Sequence, residues 1–157
     1  MSIDDRLNQI LSRQDEKLEE ANARAAEQLR LQRESEAKRE TAIAEWRQAY
    51  GLLTHAIQDM NERLQGRELR FIDQPGTAVG ELAAQHVIKF DRNSKFVDRD
   101  CSATITVGLE GETHVTIHHN FFPRTPNFRS EKTKNLNLQF FNEVMVDLLE
   151  TASRGQG

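Results

Sequence analysis

The side chains best suited to chemistry are three closely spaced histidines, His114, His118 and His119, and one cysteine, Cys101. Imidazoles ligate metals and shuttle protons, and a thiol next to an imidazole is a nucleophile pattern. The spacing argues against both uses. On a strand, His114 and His118 share a face but stand about 13 Å apart at roughly 3.3 Å per residue, too far to hold one ion. His118 and His119 point to opposite faces, and neither a helical i,i+4 pair nor an HExxH pattern occurs. Cys101 falls across from His119 when the two strands are paired, yet it lies on the apolar side with Ile105 and Val115, where a buried thiol is inert. A lone cysteine also excludes an intramolecular disulfide framework and every multi-cysteine zinc motif. No GxxxxGK[ST], GxGxxG or GxSxG pattern is present. The expectation is therefore no catalytic residue, no metal and no cofactor.

The stronger candidate is the stretch 120–135, with Phe121, Phe122, Arg124, Phe128, Arg129, Lys132 and Lys134. Aromatic rings among basic side chains anchor protein partners, or stack bases while neutralising phosphates. A plainer reading leaves the rings tucked under a sheet edge and the charges solvated. Between the functional readings protein contact leads, because the rest of the chain is acidic, with net charge -4.

Elements must position these residues. Cys101, Ala103, Ile105 and Val107 alternate with Ser102, Thr104 and Thr106, and after the loop 109–111 the alternation resumes at Val115 and Ile117. That loop length sets Ile105 opposite Val115 and Ala103 opposite Ile117, which keeps the apolar residues on one face. It pairs Thr106 with His114 and Ser102 with His118 on the other. Further strands are expected at 69–73, in the later part of 81–91, and at Phe96-Val97, with a turn at 74–77. Leu138, Phe141, Met145, Leu148 and Leu149 form the stripe of a helix over 137–153, with Asn142, Glu143, Asp147 and Glu150 toward solvent.

Ahead of the strands, residues 2–65 read as continuous helix, rich in Ala, Glu, Gln, Arg, Lys and Leu and free of proline. Ile43, Trp46, Tyr50, Leu53, Ile57, Met60 and Leu64 step by three and four residues, the a/d seam of a heptad repeat. Ala42, Ala49 and Ala56 flank it at seven-residue spacing. A weaker stripe, Leu7, Leu11, Leu18, Ala21 and Ala25, contains polar Gln14. An apolar seam needs cover, either from a second copy or from the sheet and last helix of the same chain. Trp and Tyr in a seam suit an antiparallel pair or a mixed bundle, and a second copy is the favoured cover.

The expected fold class is α+β: a long N-terminal helix acting as a coiled-coil stalk over 1–66, then a domain over 67–157. That domain holds a small antiparallel sheet of about four strands, with a C-terminal helix on one face. No stretch is apolar enough for a transmembrane helix. With no signal peptide in view, a cytoplasmic location is expected. The functional expectation is a non-enzymatic interaction, scaffold or adaptor protein. It would self-associate as a homo-oligomer through the seam and contact a protein partner through the α+β module, with no membrane contact. Two alternatives stand beside it: a small enzyme using Cys101 and the histidines, and a nucleic-acid binder using the 120–135 loop.

Overall fold

The computed structural model describes residues 2–120 and 127–154. They form two compact units, one up to Lys38 and one from Arg39 onward. The first unit is helix alone, the N-terminal part of α1 (Ile3–Arg63). Its start is capped reciprocally: Asp5 N–H donates to Ser2 Oγ at 3.1 Å and Ser2 N–H to Asp5 Oδ2 at 3.4 Å. Arg30 bridges Glu27 and Glu34 along the helix surface. Every described side chain up to Lys38 is exposed.

The second unit contains the last turns of α1 and five strands: β1 (Phe71–Pro75), β2 (Leu82–Phe90), β3 (Ser102–Gly108), β4 (Glu112–His118) and β5 (Asn127–Lys132). A single 3-10 turn, Thr133–Asn135, leads into α2 (Leu138–Arg154). The strands pair antiparallel in chain order, β1-β2-β3-β4-β5. The α+β class, the long N-terminal helix and the C-terminal helix on the sheet are as expected; the strand count is five. The β3–β4 register is the expected one, with Ile105 opposite Val115, Thr106 opposite His114 and Ser102 opposite His118. Ala103, Ile105, Val107, Val115 and Ile117 are buried on one face.

That face carries both helices. Phe141, Val144, Met145 and Leu148 of α2 and Trp46, Leu53 and Met60 of α1 join the sheet residues in one core. The fully covered line on α1 is Ala42, Trp46, Ala49, Leu53, Ala56 and Met60, at steps of four and three. Leu53 and Ala56 have 0% of their surface exposed. Small alanines on alternate steps let the helix backbone close on the sheet, and the large residues between them fill the interstices. Trp46 reaches α2 edge-on, its ring 6.3 Å from that of Phe141.

Three expectations are corrected. Of the two covers open to the seam, a second copy is the favoured one, but Trp46, Leu53, Met60 and Leu64 are buried inside their own chain. Ile43, Tyr50 and Ile57 lie half-buried at the margin of that contact. A heptad stripe specifies only that something apolar covers it, and the sheet satisfies that need here. The segment Phe96-Val97 is not strand: Phe96 has φ +63°. Part of the supposed loop 120–135 is the edge strand β5. Its inward positions include Arg129, opposite Val115, so no apolar alternation betrays it.

Replacing Leu53 by Ala is expected to destabilise the protein by about 2–5 kcal/mol through the cavity it leaves. Replacing Ala56 by Leu is expected to cost about 1–3 kcal/mol by forcing α1 off the sheet. Urea unfolding followed by circular dichroism measures both.

Candidate functional site

Where α1 crosses β1 and β2, polar groups meet inside the core. Trp46 and Tyr50 sit one helical turn apart on α1. Asp73 on β1 and His86 on β2 are brought to the same face by the β1–β2 register, in which Asp73 opposes Ile88 and Pro75 opposes His86. Trp46 Nε1–H donates to His86 Nε2 at 3.3 Å. An indole nitrogen is a donor only, so Nε2 must present its lone pair and Nδ1 must carry the ring proton. That proton is directed at Asp73 Oδ1, 3.0 Å away. Tyr50 Oη–H donates to Asp73 Oδ2 at 2.8 Å, and its ring stacks on His86 at 4.9 Å between centroids.

Burial pushes the Asp73 carboxyl up, but the hydrogen bonds it accepts from His86 and Tyr50 outweigh that and hold the carboxyl below its usual range. The hydrogen bond to Asp73, reinforced by burial, raises the Tyr50 phenol. The chain Trp46–His86–Asp73–Tyr50 has the order of a catalytic relay, yet its end group is an indole, which is no nucleophile. Its evident work is to satisfy four polar groups at the helix–sheet contact.

Tyr50 and Asp73 also line a cleft of about 940 Å³ between the last turns of α1, β1 and the turn at residues 91–95. Ile57, Leu64 and Leu69 give it an apolar floor, and Glu62 and Asp91 line it with acids. Beside it runs the free edge of β1. Asp91 N–H bonds to Arg70 O and Gly76 N–H to Gln85 O. The main-chain groups of Phe71, Asp73 and Pro75 therefore face away from β2. The Asn61 carboxamide takes both groups of Phe71: Phe71 N–H donates to Oδ1 at 2.8 Å, and Nδ2–H donates to Phe71 O at 3.0 Å. Pro75 has no N–H to offer. The edge is blunted at both ends against strand addition.

The residues singled out from sequence are dispersed. Phe121, Phe122 and Arg124 lie outside the described residues. Phe128 stands 59% exposed on the uncovered sheet face, its ring 5.7 Å from that of His114. Arg129 is turned the other way and ties β5 to α2, with Nε 2.8 Å from Asp147 Oδ2 and Nη1 2.8 Å from Glu143 Oε2. Those two acids were expected to be solvated, and Arg129 is thereby committed inside the chain. Lys132 and Lys134 are exposed. Cys101 is fully buried, and desolvation, with the nearby Asp98 carboxylate second, pushes its thiol up to about 12. No thiolate is available there near neutral pH. His114 and His118 share the uncovered face, as expected.

Sequence reasoning missed Asp73, His86 and Asn61. One signal was legible: His86 alternates with Ile88 and Phe90, which places an imidazole on a core-facing position. Nothing local marks Asp73 or Asn61, whose partners come from other elements. No protein-family model, curated protein or solved structure matches this chain.

Asp73 has a folded-state pKa below its unfolded value of about 3.9, so its contribution to stability is present above that pH and is lost as pH falls through the folded value. Asp73→Asn is therefore expected to flatten the acid limb of the stability profile below about pH 4. Tyr50→Phe is expected to cost about 1 kcal/mol at neutral pH. Chemical denaturation across pH tests both.

Proposed function

We propose that the chain is a non-enzymatic interaction protein, a scaffold or adaptor. It self-associates through the helical unit up to Lys38 and contacts a protein partner through the α+β unit. One observation carries this reading. Among the described residues eleven large apolar side chains are exposed, and seven of them, Ile3, Leu7, Ile10, Leu11, Leu18, Leu29 and Leu31, sit on that helical unit. A single helix in water is held mainly by tertiary cover of its apolar side chains, and every described side chain up to Lys38 is exposed. Leu7, Leu11, Leu18, Ala21 and Ala25 keep heptad spacing, so a second copy supplies matching cover, with Gln14 as a polar layer that fixes register. No helix among the described residues is long and apolar enough to cross a membrane, so the stripe reads as a docking face and not a span.

For the partner, Phe128 on the uncovered sheet face and the nearby Lys132 are the available anchors. Nucleic acid ranks below protein because Arg129 is already neutralised by Asp147 and Glu143. The burial of Cys101 weighs against the enzyme alternative, and the lone reduced thiol suits a cytoplasmic setting.

Leu7→Ser, Leu11→Ser and Leu18→Ser together are expected to lower the molar mass measured by sedimentation at matched concentration. Helicity is expected to fall with it, as residues 3–38 lose their cover. An unchanged mass and an unchanged far-UV spectrum would reject self-association through this unit.

A further inference from the structure

The sheet has two edges, and they are finished differently. At β1 the Asn61 carboxamide occupies the main chain of Phe71, and Pro75 has no N–H. At β5, Thr133 N–H donates to Gly111 O at 2.8 Å. The β4–β5 register then turns the main chains of Arg129 and Glu131 toward β4, and those of Phe128, Ser130 and Lys132 outward. Among the described residues, one group alone takes up any of these outward positions: the Glu131 carboxylate accepts from Lys132 N–H at 2.9 Å. Phe128, Ser130, Glu131 and Lys132 are exposed, and β5 contains no proline. An open edge is a template for another strand, and folded proteins ordinarily close it.

The space beside the edge says which strand fits. Between β5 and the start of α2 lies a cavity of about 330 Å³, lined chiefly by Arg129, Glu131, Asn135, Asn137, Phe140 and Glu143. Arg129 is the one base in that lining, and Asp147 and Glu143 already hold it. Lys132 stands on the opposite face of the strand, and Lys134, in the turn that follows, lies outside the lining. Glu131, Glu143 and, behind them, Asp147 therefore outweigh one guanidinium. A second copy of β5 fits this space poorly. Paired antiparallel about Ser130, it would bring its own Glu131 opposite Arg129 and beside Glu143 and Asp147, carboxylate against carboxylate.

We propose that the β5 edge accepts an extended, basic segment of another protein as a sixth antiparallel strand. The main chain of that segment pairs with Phe128, Ser130 and Lys132. A lysine or arginine facing Glu131 enters the cavity between Glu131 and Glu143, and Glu131 turns to it from the Lys132 amide. An apolar residue three positions further on lies across from Phe128. The inference rests on the partner contact proposed for the α+β unit and names the form and charge of that partner.

The probe is a dye-labelled hexapeptide, all threonine except lysine second and valine fifth, which this register sets against Glu131 and Phe128. It is titrated to about 1 mM into the full-length, isotope-labelled chain, a range that captures weak contacts. Saturable binding is expected, with amide shifts at Phe128, Ser130 and Lys132. Norleucine in place of the lysine is expected to weaken binding about threefold, and glutamate at least about tenfold. Ser130→Pro removes an outward N–H and no bond to β4, so the Tm is expected to hold while probe affinity falls at least about tenfold. Should that variant fold poorly, N-methylation of the third probe residue, which faces Ser130, removes the pairing from the ligand's side and is expected to act alike.

No saturable binding, equal affinity of the three probes, or affinity untouched by Ser130→Pro and by N-methylation would each overturn the proposal. A dimer of the chain that Ser130→Pro dissolves would do so too, since a second copy would then be the occupant. Shifts around Phe128 that survive both edge changes would remove the edge site yet leave the partner contact standing. The absence of any shift counts against both.

Discussion

The second unit depends on how closely α1 can approach the sheet. Ala42, Ala49 and Ala56 set that distance, because any larger side chain on those steps would hold the helix away. At that separation Trp46, Leu53 and Met60 reach the sheet's apolar face and share it with Phe141, Met145 and Leu148 of α2. Antiparallel sheets commonly cover one face and leave the other to water. Here the division is clean: Ala103, Ile105, Val107, Val115 and Ile117 point to the helices, while Thr104, Thr106, Thr116 and His114 occupy the uncovered side.

Close approach creates a second problem, since it carries polar groups into the core with the apolar ones. The Trp46–His86–Asp73–Tyr50 chain answers it by satisfying each group from a different element. Because α1, β1 and β2 all contribute, the network holds the helix in one register on the sheet, as partly satisfied alternatives would be costly. A few residues on, Asn61 does a similar job at the edge, standing in for a neighbouring strand at Phe71. At the opposite edge Arg129 fastens β5 to α2 through Asp147 and Glu143.

Much of this was legible in the residues. Strict alternation through Ala103, Ile105 and Val107, then Val115 and Ile117, fixes strands, faces and register together, since a slip of one residue would expose every apolar side chain. The stripe of α2 was equally plain. Other features were hidden for identifiable reasons. The heptad stripe around Trp46 and Leu53 states that α1 is covered but not by what; a sheet face with alanine-sized steps satisfies the same period as a partner helix. The edge strand β5 puts Arg129 inward, and an arginine paired with two acids of a later helix leaves no hydrophobic period to read. Phe96 beside Val97 resembles strand until Val97 is found buried and Phe96 turned outward by a positive φ. The polar network was visible only as a histidine among core-facing positions of β2. Partnership between residues forty positions apart, as for Trp46 and His86, is not a local signal.

The central claim is that the sheet of the same chain covers the seam around Trp46. Trp46 is the only tryptophan, so its fluorescence reports on this directly. Emission maximum and acrylamide quenching, followed on dilution from micromolar to nanomolar protein, give the most direct test. A blue-shifted, shielded indole whose signal does not change with concentration is the expected result. A shift to the red with rising quenching as oligomers dissociate would mean that a second copy, and not the sheet, provides the cover.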